Sequence, residues 1–351
     1  MRTRPIVAVL AAGLLALGSA GCSGSDSDEP AAGAGSPASD KKITLYSGRS
    51  EKLVKPLLEQ FTKDTGVSVE ARYADTAQLA AQLQEEGDKS RADVFFAQDA
   101  GALGAVSKKG LFAPLPNELI GKVPTEYRSK DGTWVGVTGR SRVLVYNSDL
   151  VPAAELPKSV FELTDPKWNG KVGIAPTNAS FQAFVTAIRV AQGDQKAKDF
   201  LAGLKANGVQ IRPNNGAIVE DVNNGKLSVG LVNHYYVYEK SKEKGVAVDA
   251  LKVKLHFFPD GDPGALVNVA GIGVLKPSAA DPDVKTFTDY LLGAAAQKYF
   301  AESTYEYPLI AGVPTAPGLP PIAGLNPPDV DLNNLDTLAQ TVATIKEAGL
   351  A

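Results

Sequence analysis

Two adjacent tyrosines, Tyr235 and Tyr236, are the side chains of this sequence with the clearest capacity for chemistry. They follow the apolar run 228–232, which is typical of a strand, and they precede the charged segment 239–244, which is typical of a helix. In an open α/β sheet, ligands bind at the ends of strands where helices begin. A phenolate oxygen is a hard anionic donor that suits a hard cation such as Fe(III). The pair is therefore a candidate metal site, with surface packing aromatics as the alternative.

The sequence lacks the motifs of the common enzyme classes. It has no Gly-x-Ser-x-Gly elbow, no His-Glu-x-x-His pair, no Walker loop and no Cys-x-x-Cys. Of the two histidines, His256 falls in an apolar strand pattern and is predicted to be structural, whereas His234 either supports the tyrosines or lies on the surface. Paired carboxylates can also drive hydrolysis. Asp93 and Asp99 flank one strand, but Asp93 is expected to face away, so a binding protein is favoured over an enzyme.

Length and charge restrict the class of protein further. The chain has 351 residues, which is more than one typical core accommodates, so two lobes are predicted. The formal net charge is −3, and this near balance gives no electrostatic case for nucleic acid as a partner.

The N-terminal segment 1–22 has the features of a bacterial secretion signal. Two arginines precede the apolar run 6–17, which is too short to span a membrane, and small residues lead up to Cys22. Cys22 is the only cysteine and resembles the lipidated cysteine of a lipobox, although Ser19 replaces the usual aliphatic residue. Lipidation would anchor the mature protein to the outer face of the cytoplasmic membrane; the alternative is ordinary cleavage that leaves a free thiol. Residues 23–41 are predicted to form a flexible tether.

Strand and helix patterns alternate along the rest of the chain. This order predicts an α/β fold with a mainly parallel sheet and helices on both faces. Two successive alternations predict two lobes that close around a ligand. The predicted strands are 43–46, 67–73, 93–97, 134–138, 143–146, 171–174, 209–211, 228–232, 255–258 and 266–274. The predicted helices are 77–86, 100–108, 161–165, 181–191, 195–206, 217–223, 284–300 and 333–348, with a further one between Ser50 and Gly66.

Seven short motifs are similar, in order and spacing, to those of one protein family. They are LYSGR (45–49), EEGDK (85–89), ADVF (92–95), GRSRVLVY (139–146), PKWNGK (166–171), NHYY (233–236) and DPGAL (262–266). On these motifs the chain resembles the ferric-ion-binding proteins of bacterial ABC importers, sometimes called bacterial transferrins. The resemblance implies a periplasmic-binding-protein-like fold, in which hinge strands join two lobes with a ligand cleft between them. The lobes would be 42–142 with 266–316, and 143–265 with 317–351.

The resemblance also implies which residues bind iron. In that family two adjacent tyrosines are ligands, and they match Tyr235 and Tyr236. The usual histidine ligand falls on Ser50, the usual glutamate ligand falls on Gln98, and the loop 177–180 lacks the third tyrosine that some members use. Ser50 has an alternative role as a helix N-cap, and Gln98 either caps the next helix or hydrogen-bonds a bound species. Because only the tyrosine pair remains, weak binding of bare ferric ion is expected.

An exogenous anion would have to complete the iron shell, since two phenolates leave one positive charge and open coordination positions. Carbonate, phosphate, citrate or a hydroxamate chelator would serve, and the family uses such an anion. Arg142 resembles the family's anion-binding arginine, and a guanidinium holds oxyanions in bidentate fashion. Its alternative role is a salt bridge at the lobe junction, and Arg49 would add a second positive group. The other residues expected to contact the anion are Asn178, Ser180, Asn214 and Asn233.

These inferences predict a lipid-anchored, monomeric substrate-binding protein outside the cytoplasm. It would deliver Fe(III), with an anion or chelator, to an ABC transporter permease. The alternative is a metal-free binding protein on the same scaffold for a small organic or oxyanion nutrient, because the neutral Ser50 and Gln98 suit hydrogen-bonded ligands and tyrosines can act as stacking walls. A sensor subunit for a signalling partner also stays open.

Overall fold

Strands and helices alternate over residues 39–351, which are the residues that the computed structural model describes. The predicted signal segment 1–22, with Cys22, and most of the predicted tether 23–41 lie outside them. The strands are β1 (Lys42–Ser47), β2 (Ser68–Tyr73), β3 (Val94–Ala97), β4 (Trp134–Asn147), β5 (Val172–Ile174), β6 (Gln210–Ile211), β7 (Val229–Asn233), β8 (Val253–His256), β9 (Val267–Val274) and β10 (Tyr307–Pro308). The α-helices are α1 (Glu51–Thr65), α2 (Thr76–Glu86), α3 (Ala100–Lys108), α4 (Asn117–Ile120), α5 (Ala179–Gln192), α6 (Asp194–Ala206), α7 (Asn215–Asn223), α8 (Tyr235–Lys244), α9 (Pro282–Leu291), α10 (Ala294–Tyr299) and α11 (Leu338–Glu347).

The strands form a mixed sheet in the order β2-β1-β3-β9-β4-β7-β5-β6, and β8 and β10 also pair with β4. β1 is parallel to β2 and β3, and β5 is parallel to β6 and β7, as the alternation of strands and helices predicts. β4 and β9, in contrast, run antiparallel to each other and to their other neighbours. The prediction of a mainly parallel sheet is therefore wrong at the centre, where two long strands return through the sheet.

β4 is one continuous strand of 14 residues, although the sequence pattern predicts two strands separated by 139–142. The buried polar residues Arg140, Ser141 and Arg142 interrupt the apolar pattern without interrupting the strand. The partners of β4 change at this point: residues up to Ser141 pair with β9 and β10, whereas Arg142 and later residues pair with β7 and β8. The two arginines thus lie where the strand passes from one half of the sheet to the other.

The helices that support this centre bury the residues that their spacing predicts, with small differences. α1 buries Leu57, Leu58 and Phe61 as expected, but it buries Val54 in place of Leu53, and it ends at Gly66 in the left-handed conformation. The predicted helix 284–300 is two helices, α9 and α10, because the chain breaks at Gly293. No helix within residues 39–351 is both long and apolar enough to cross a membrane.

Helix α8 begins directly after β7, and both are fixed by packing. β7 is buried along its whole length. A separate apolar cluster joins Val232 of β7 and Val237 of α8 to Ile218, Val219 and Val222 of α7. The first turn of α8, with both tyrosines, is therefore held by α7 from one side and by the sheet from the other.

Candidate metal and anion site

The tyrosine pair lies at the first turn of α8, at the end of a buried strand, as the sequence predicts. The rings of Tyr235 and Tyr236 are stacked, with centroids 4.4 Å apart and an interplanar angle of 29°. Tyr235 is buried and Tyr236 is half-buried. Both tyrosines line a cavity of about 180 Å³ and also a wider pocket of about 830 Å³, so that the pair is shared by the two spaces.

His234 holds the start of α8 in place. Its ring is fully buried, so the surface alternative is wrong. Nε2–H donates to the carbonyl oxygen of Tyr305 at 2.7 Å, and Nδ1 accepts from the backbone N–H of Ser141 at 3.2 Å. Burial lowers the pKa of His234 to about 4, so the ring is neutral near pH 7. Because both ring nitrogens are already bonded, His234 supports the tyrosines and does not itself reach a ligand.

The electrostatics of the site favour a neutral phenol at Tyr235 when no metal is present. Burial is the largest cause that raises the pKa of Tyr235 well above 10, and the neighbouring Tyr236 adds to it. The charge of Arg140 acts in the opposite direction. A trivalent cation would therefore have to displace the phenolic proton of Tyr235 on binding.

Arg142 of β4 lines the smaller cavity and has two buried nitrogen donors without a partner. Its side chain is 2% exposed, and Nη1 donates to Oγ of Ser180 at 3.0 Å and to Oδ1 of Asn233 at 3.2 Å. Within residues 39–351 its Nε and Nη2 have no hydrogen-bond partner, and no carboxylate forms a salt bridge with it or is among the charges that act on it. Burial lowers the pKa of Arg142 to about 9, which leaves the group charged at neutral pH. Two unpaired guanidinium N–H groups in a cavity are suited to an oxyanion.

The polar groups beside Arg142 come mainly from the N-terminus of α5. Asn178 caps that helix by accepting from the N–H of Ser180 at 3.0 Å, and the Ser180 hydroxyl donates to Asn178 Oδ1 at 2.6 Å. Asn215, which is fully buried, donates to both side chains. Asn214, by contrast, is exposed, caps α7 and does not line the cavity. The structure thus brings Asn178, Ser180 and Asn233 together around Arg142, and it puts Asn214 outside this group.

Gln98 lines both spaces and is bonded to Arg49, which lines the wider pocket. Gln98 Oε1 accepts from Arg49 Nη1 at 2.7 Å, and the Gln98 carbonyl accepts from Arg140. The cap of α3 is Asp99, which accepts from the N–H of Ala102, so Gln98 does not cap that helix. Arg49 is 1% exposed and its Nη2 donates to Glu306 Oε2 at 2.7 Å, so its charge is already compensated.

Ser50 is farther from the smaller cavity. It is exposed, it occupies the N-cap position of α1 without a side-chain cap bond, and it lines the wider pocket together with the tyrosines and Gln98. Its hydroxyl is therefore free to meet a ligand in that pocket.

Four residues near the site were missed by sequence reasoning about ligands. Arg140 lines the cavity beside Arg142, and its position two residues earlier on one strand could have revealed it, because residues i and i+2 share a face. The other three have no local signal. Asn268 from β9 lines the cavity, Asn215 donates to Ser180, which lines it, and Glu306 Oε1 lies 3.7 Å from Nε of Arg140, which also lines it.

Asp93 and Asp99 do not lie together in the cavity, as a hydrolase with paired carboxylates would require. Asp93 accepts from the Thr44 N–H and from the Ser278 hydroxyl, both at 2.6 Å, and it does not line the cavity, whereas Asp99 does. Burial raises the pKa of Asp99. Within residues 39–351 no group of three or more His, Cys, Asp or Glu side chains could hold a metal. The tyrosine pair thus remains the predicted metal site.

Comparison with known proteins identifies the relatives of this chain. The model of a family described as bacterial extracellular solute-binding protein matches residues 89–332. A protein of Serratia marcescens named Fe(3+)-binding periplasmic protein is 34% identical over 319 residues, which are 91% of this chain and 93% of that protein.

Two solved structures are similar over nearly their whole length. Iron-bound HitA of Pseudomonas aeruginosa is 36% identical, with a TM-score of 0.80, over 88% of this chain and 99% of that chain. A Trichodesmium protein (IdiA, FutA) in complex with iron and citrate is 29% identical, with a TM-score of 0.77, over 88% of this chain and 100% of that chain. The comparisons confirm the predicted two-lobed, periplasmic-binding-protein-like α/β fold, and the relatives are binding proteins, not enzymes.

Proposed function

Since this chain belongs to the family of bacterial extracellular solute-binding proteins, we propose that it captures ferric iron for an ABC importer. Tyr235 and Tyr236 would bind the metal as phenolates, and an exogenous anion or chelator would complete the shell. One observation carries the proposal: two stacked tyrosines and an arginine with two unpaired N–H groups, Arg142, line the same cavity. The Serratia marcescens relative, which is named as Fe(3+)-binding, and the iron-bound structure of the Pseudomonas aeruginosa relative support the choice of metal.

The anion would bind between Arg142 and the start of α5. Nε and Nη2 of Arg142 are the available donors, and Ser180 and Asn233 hold the guanidinium in place through Nη1. The cavity of about 180 Å³ has room for roughly six waters, if each takes about 30 Å³. This volume suits carbonate, phosphate or the carboxylates of a compact chelator such as citrate.

An iron chelate fits the donor set better than bare ferric ion. Neither Ser50 nor Gln98 supplies a negative charge, and Gln98 Oε1 is already engaged by Arg49. Two phenolates alone leave Fe(III) with one positive charge, so a polycarboxylate or hydroxamate would bring both charge and oxygen donors. The Trichodesmium relative, whose structure contains iron and citrate, is consistent with this choice.

The same proposal includes a place for the protein outside the cytoplasm. The predicted signal segment and Cys22 support export and a lipid anchor at the outer face of the cytoplasmic membrane, and the Serratia marcescens relative is named as periplasmic. A monomer that closes two lobes around its cargo would then hand it to the permease of an ABC transporter. The lobe boundaries 42–142 with 266–316, and 143–265 with 317–351, are part of this proposal.

A metal-free ligand is the second candidate. The neutral side chains Ser50 and Gln98, together with the free donors of Arg142, suit an organic or inorganic oxyanion that needs no iron. In that case the tyrosines would act as a wall of the pocket and would keep their protons.

A visible absorption titration separates the two candidates. The protein is titrated with ferric citrate, and separately with ferric salt plus bicarbonate, because a phenolate bound to Fe(III) absorbs visible light. We expect a charge-transfer band that is lost in the variant Tyr235→Phe/Tyr236→Phe. The matched control is Tyr238→Phe, on the same helix, whose hydroxyl donates to the Pro317 carbonyl and does not face the cavity. Iron binding that survives in the double variant would refute the assignment of the ligands, and the absence of any band would favour the metal-free candidate.

A further inference from the structure

Glu239 lies one turn beyond the tyrosine pair on α8. It follows Tyr235 by four residues and Tyr236 by three, and these are the two spacings that put helical side chains on the same face. Side chains of an α-helix lean toward its N-terminus, so Glu239 leans toward the first turn. Glu239 also lines the wider pocket of about 830 Å³ together with both tyrosines and Ser50.

The carboxylate of Glu239 is half-buried and has no partner in the described part of the chain. Burial and the like charge of Glu306 raise the pKa of Glu239, and the charges of Lys52 and Lys242 act in the opposite direction. Within residues 39–351 no hydrogen bond or salt bridge engages this carboxylate. The next acid of the helix behaves differently, since Glu243 is exposed and forms a salt bridge of 3.0 Å with Lys240. A half-buried carboxylate without a partner loses part of its hydration, and a bound cation would compensate for this loss.

We propose that the Glu239 carboxylate is a third protein ligand of the ferric ion. This inference rests on the proposed function, because it needs iron at the tyrosine pair. A carboxylate is a hard oxygen donor of the kind that Fe(III) prefers. Two phenolates and one carboxylate carry three negative charges, which balance those of the metal. Helix α8 would then supply all three protein ligands from its first two turns.

This ligand set changes the role of the anion. With Glu239 bound, the metal and its three protein ligands have no net charge. The negative charge of the exogenous anion would then be balanced by Arg142 and not by the iron. The metal would lie on the side of the pair that faces the wider pocket, whereas the anion would extend into the smaller cavity. The shared position of Tyr235 and Tyr236 between the two spaces suits this arrangement.

The test compares Glu239→Gln with Glu243→Gln, which removes the same charge one turn farther along α8. Both variants and the wild type are titrated with ferric citrate and with ferric salt plus bicarbonate, and apo melting curves verify that they fold. For Glu239→Gln we expect the phenolate band to persist, its maximum to move to longer wavelength because iron loses an anionic donor, and the iron affinity to fall by about tenfold or more. Glu243→Gln should match the wild type in both respects.

The outcomes distinguish this inference from the proposed function. A wild-type band with an unchanged affinity and maximum in Glu239→Gln would refute the third ligand and leave the tyrosine site standing. A lower affinity with an unmoved maximum would mean that Glu239 acts only through its charge, and would also refute ligation. If the wild type shows no band with either iron source, the tyrosine site fails and Glu239 fails with it.

Discussion

We predict that the buried carboxylate of Glu306 stabilises two buried arginines next to the site, Arg49 and Arg140. Glu306 is 2% exposed, and its Oε2 accepts from Arg49 Nη2 at 2.7 Å and from the hydroxyls of Thr138 and Thr304. Its Oε1 lies 3.7 Å from Nε of Arg140. Both arginines are buried, and they hold the side chain and the carbonyl of Gln98, respectively. One negative charge therefore offsets two buried guanidinium groups.

The substitution Glu306→Gln keeps the size of the side chain and removes this charge. Loss of one partner from a buried ion pair costs about 3–5 kcal/mol, because the other charge stays buried without compensation. The glutamine amide oxygen can still accept a hydrogen bond, so we expect the lower end, about 3 kcal/mol, at pH 7. Urea-induced unfolding of the iron-free protein, followed by circular dichroism, measures the loss in unfolding free energy.

Glu302→Gln is the matched control for this measurement. The Glu302 side chain is 61% exposed and lies 3.8 Å from Lys298, so its removal should change the unfolding free energy by less than about 1 kcal/mol. An equally small loss for Glu306→Gln would refute the reasoning that this carboxylate compensates both arginines. Addition of Arg140→Met to Glu306→Gln should recover part of the loss, since it removes one of the unpaired charges.

Two further predictions concern Arg142 and His234. Arg142→Met removes the two free N–H donors, and because hydrogen bonds to charged groups contribute about 1.5–3 kcal/mol each, the anion should bind at least about 100-fold more weakly. The measurement is the anion concentration needed to develop the iron band, and an unchanged requirement would contradict the prediction. The folded pKa of His234 is about 4, below its ordinary 6.5, so between these values the unfolded chain binds more protons and stability falls as the pH falls. The iron-free protein should therefore lose up to about 3 kcal/mol from pH 6.5 to pH 4, whereas His234→Gln should show a shallower slope in urea unfolding.

The tyrosine pair and the alternation of elements were predictable because their signals are local. The apolar run before Tyr235 marks β7, and the charged segment after it marks α8, so the strand-to-helix junction follows from neighbouring residues.

The supporting contacts could not be predicted, because they join distant parts of the chain. Arg49 and Glu306 are 257 residues apart, and the contact between His234 and the Tyr305 carbonyl spans 71 residues. The central strand β4 was predicted as two strands for a related reason. Its buried arginines resemble a polar turn in the sequence, and only the partners that surround them explain why a strand can contain them.

We expect the charges that exist before iron arrives to determine the order in which the proposed site fills. Arg142 is positive and has two free donors, whereas burial raises the pKa of Tyr235 and keeps its phenol neutral. A bare ferric ion would thus meet a like charge and a ligand that still carries its proton. An anion or chelate that first binds Arg142 brings negative charge next to the phenols, and the metal can then displace their protons. We therefore expect anion binding to be measurable without iron, and iron binding to be weak without an anion.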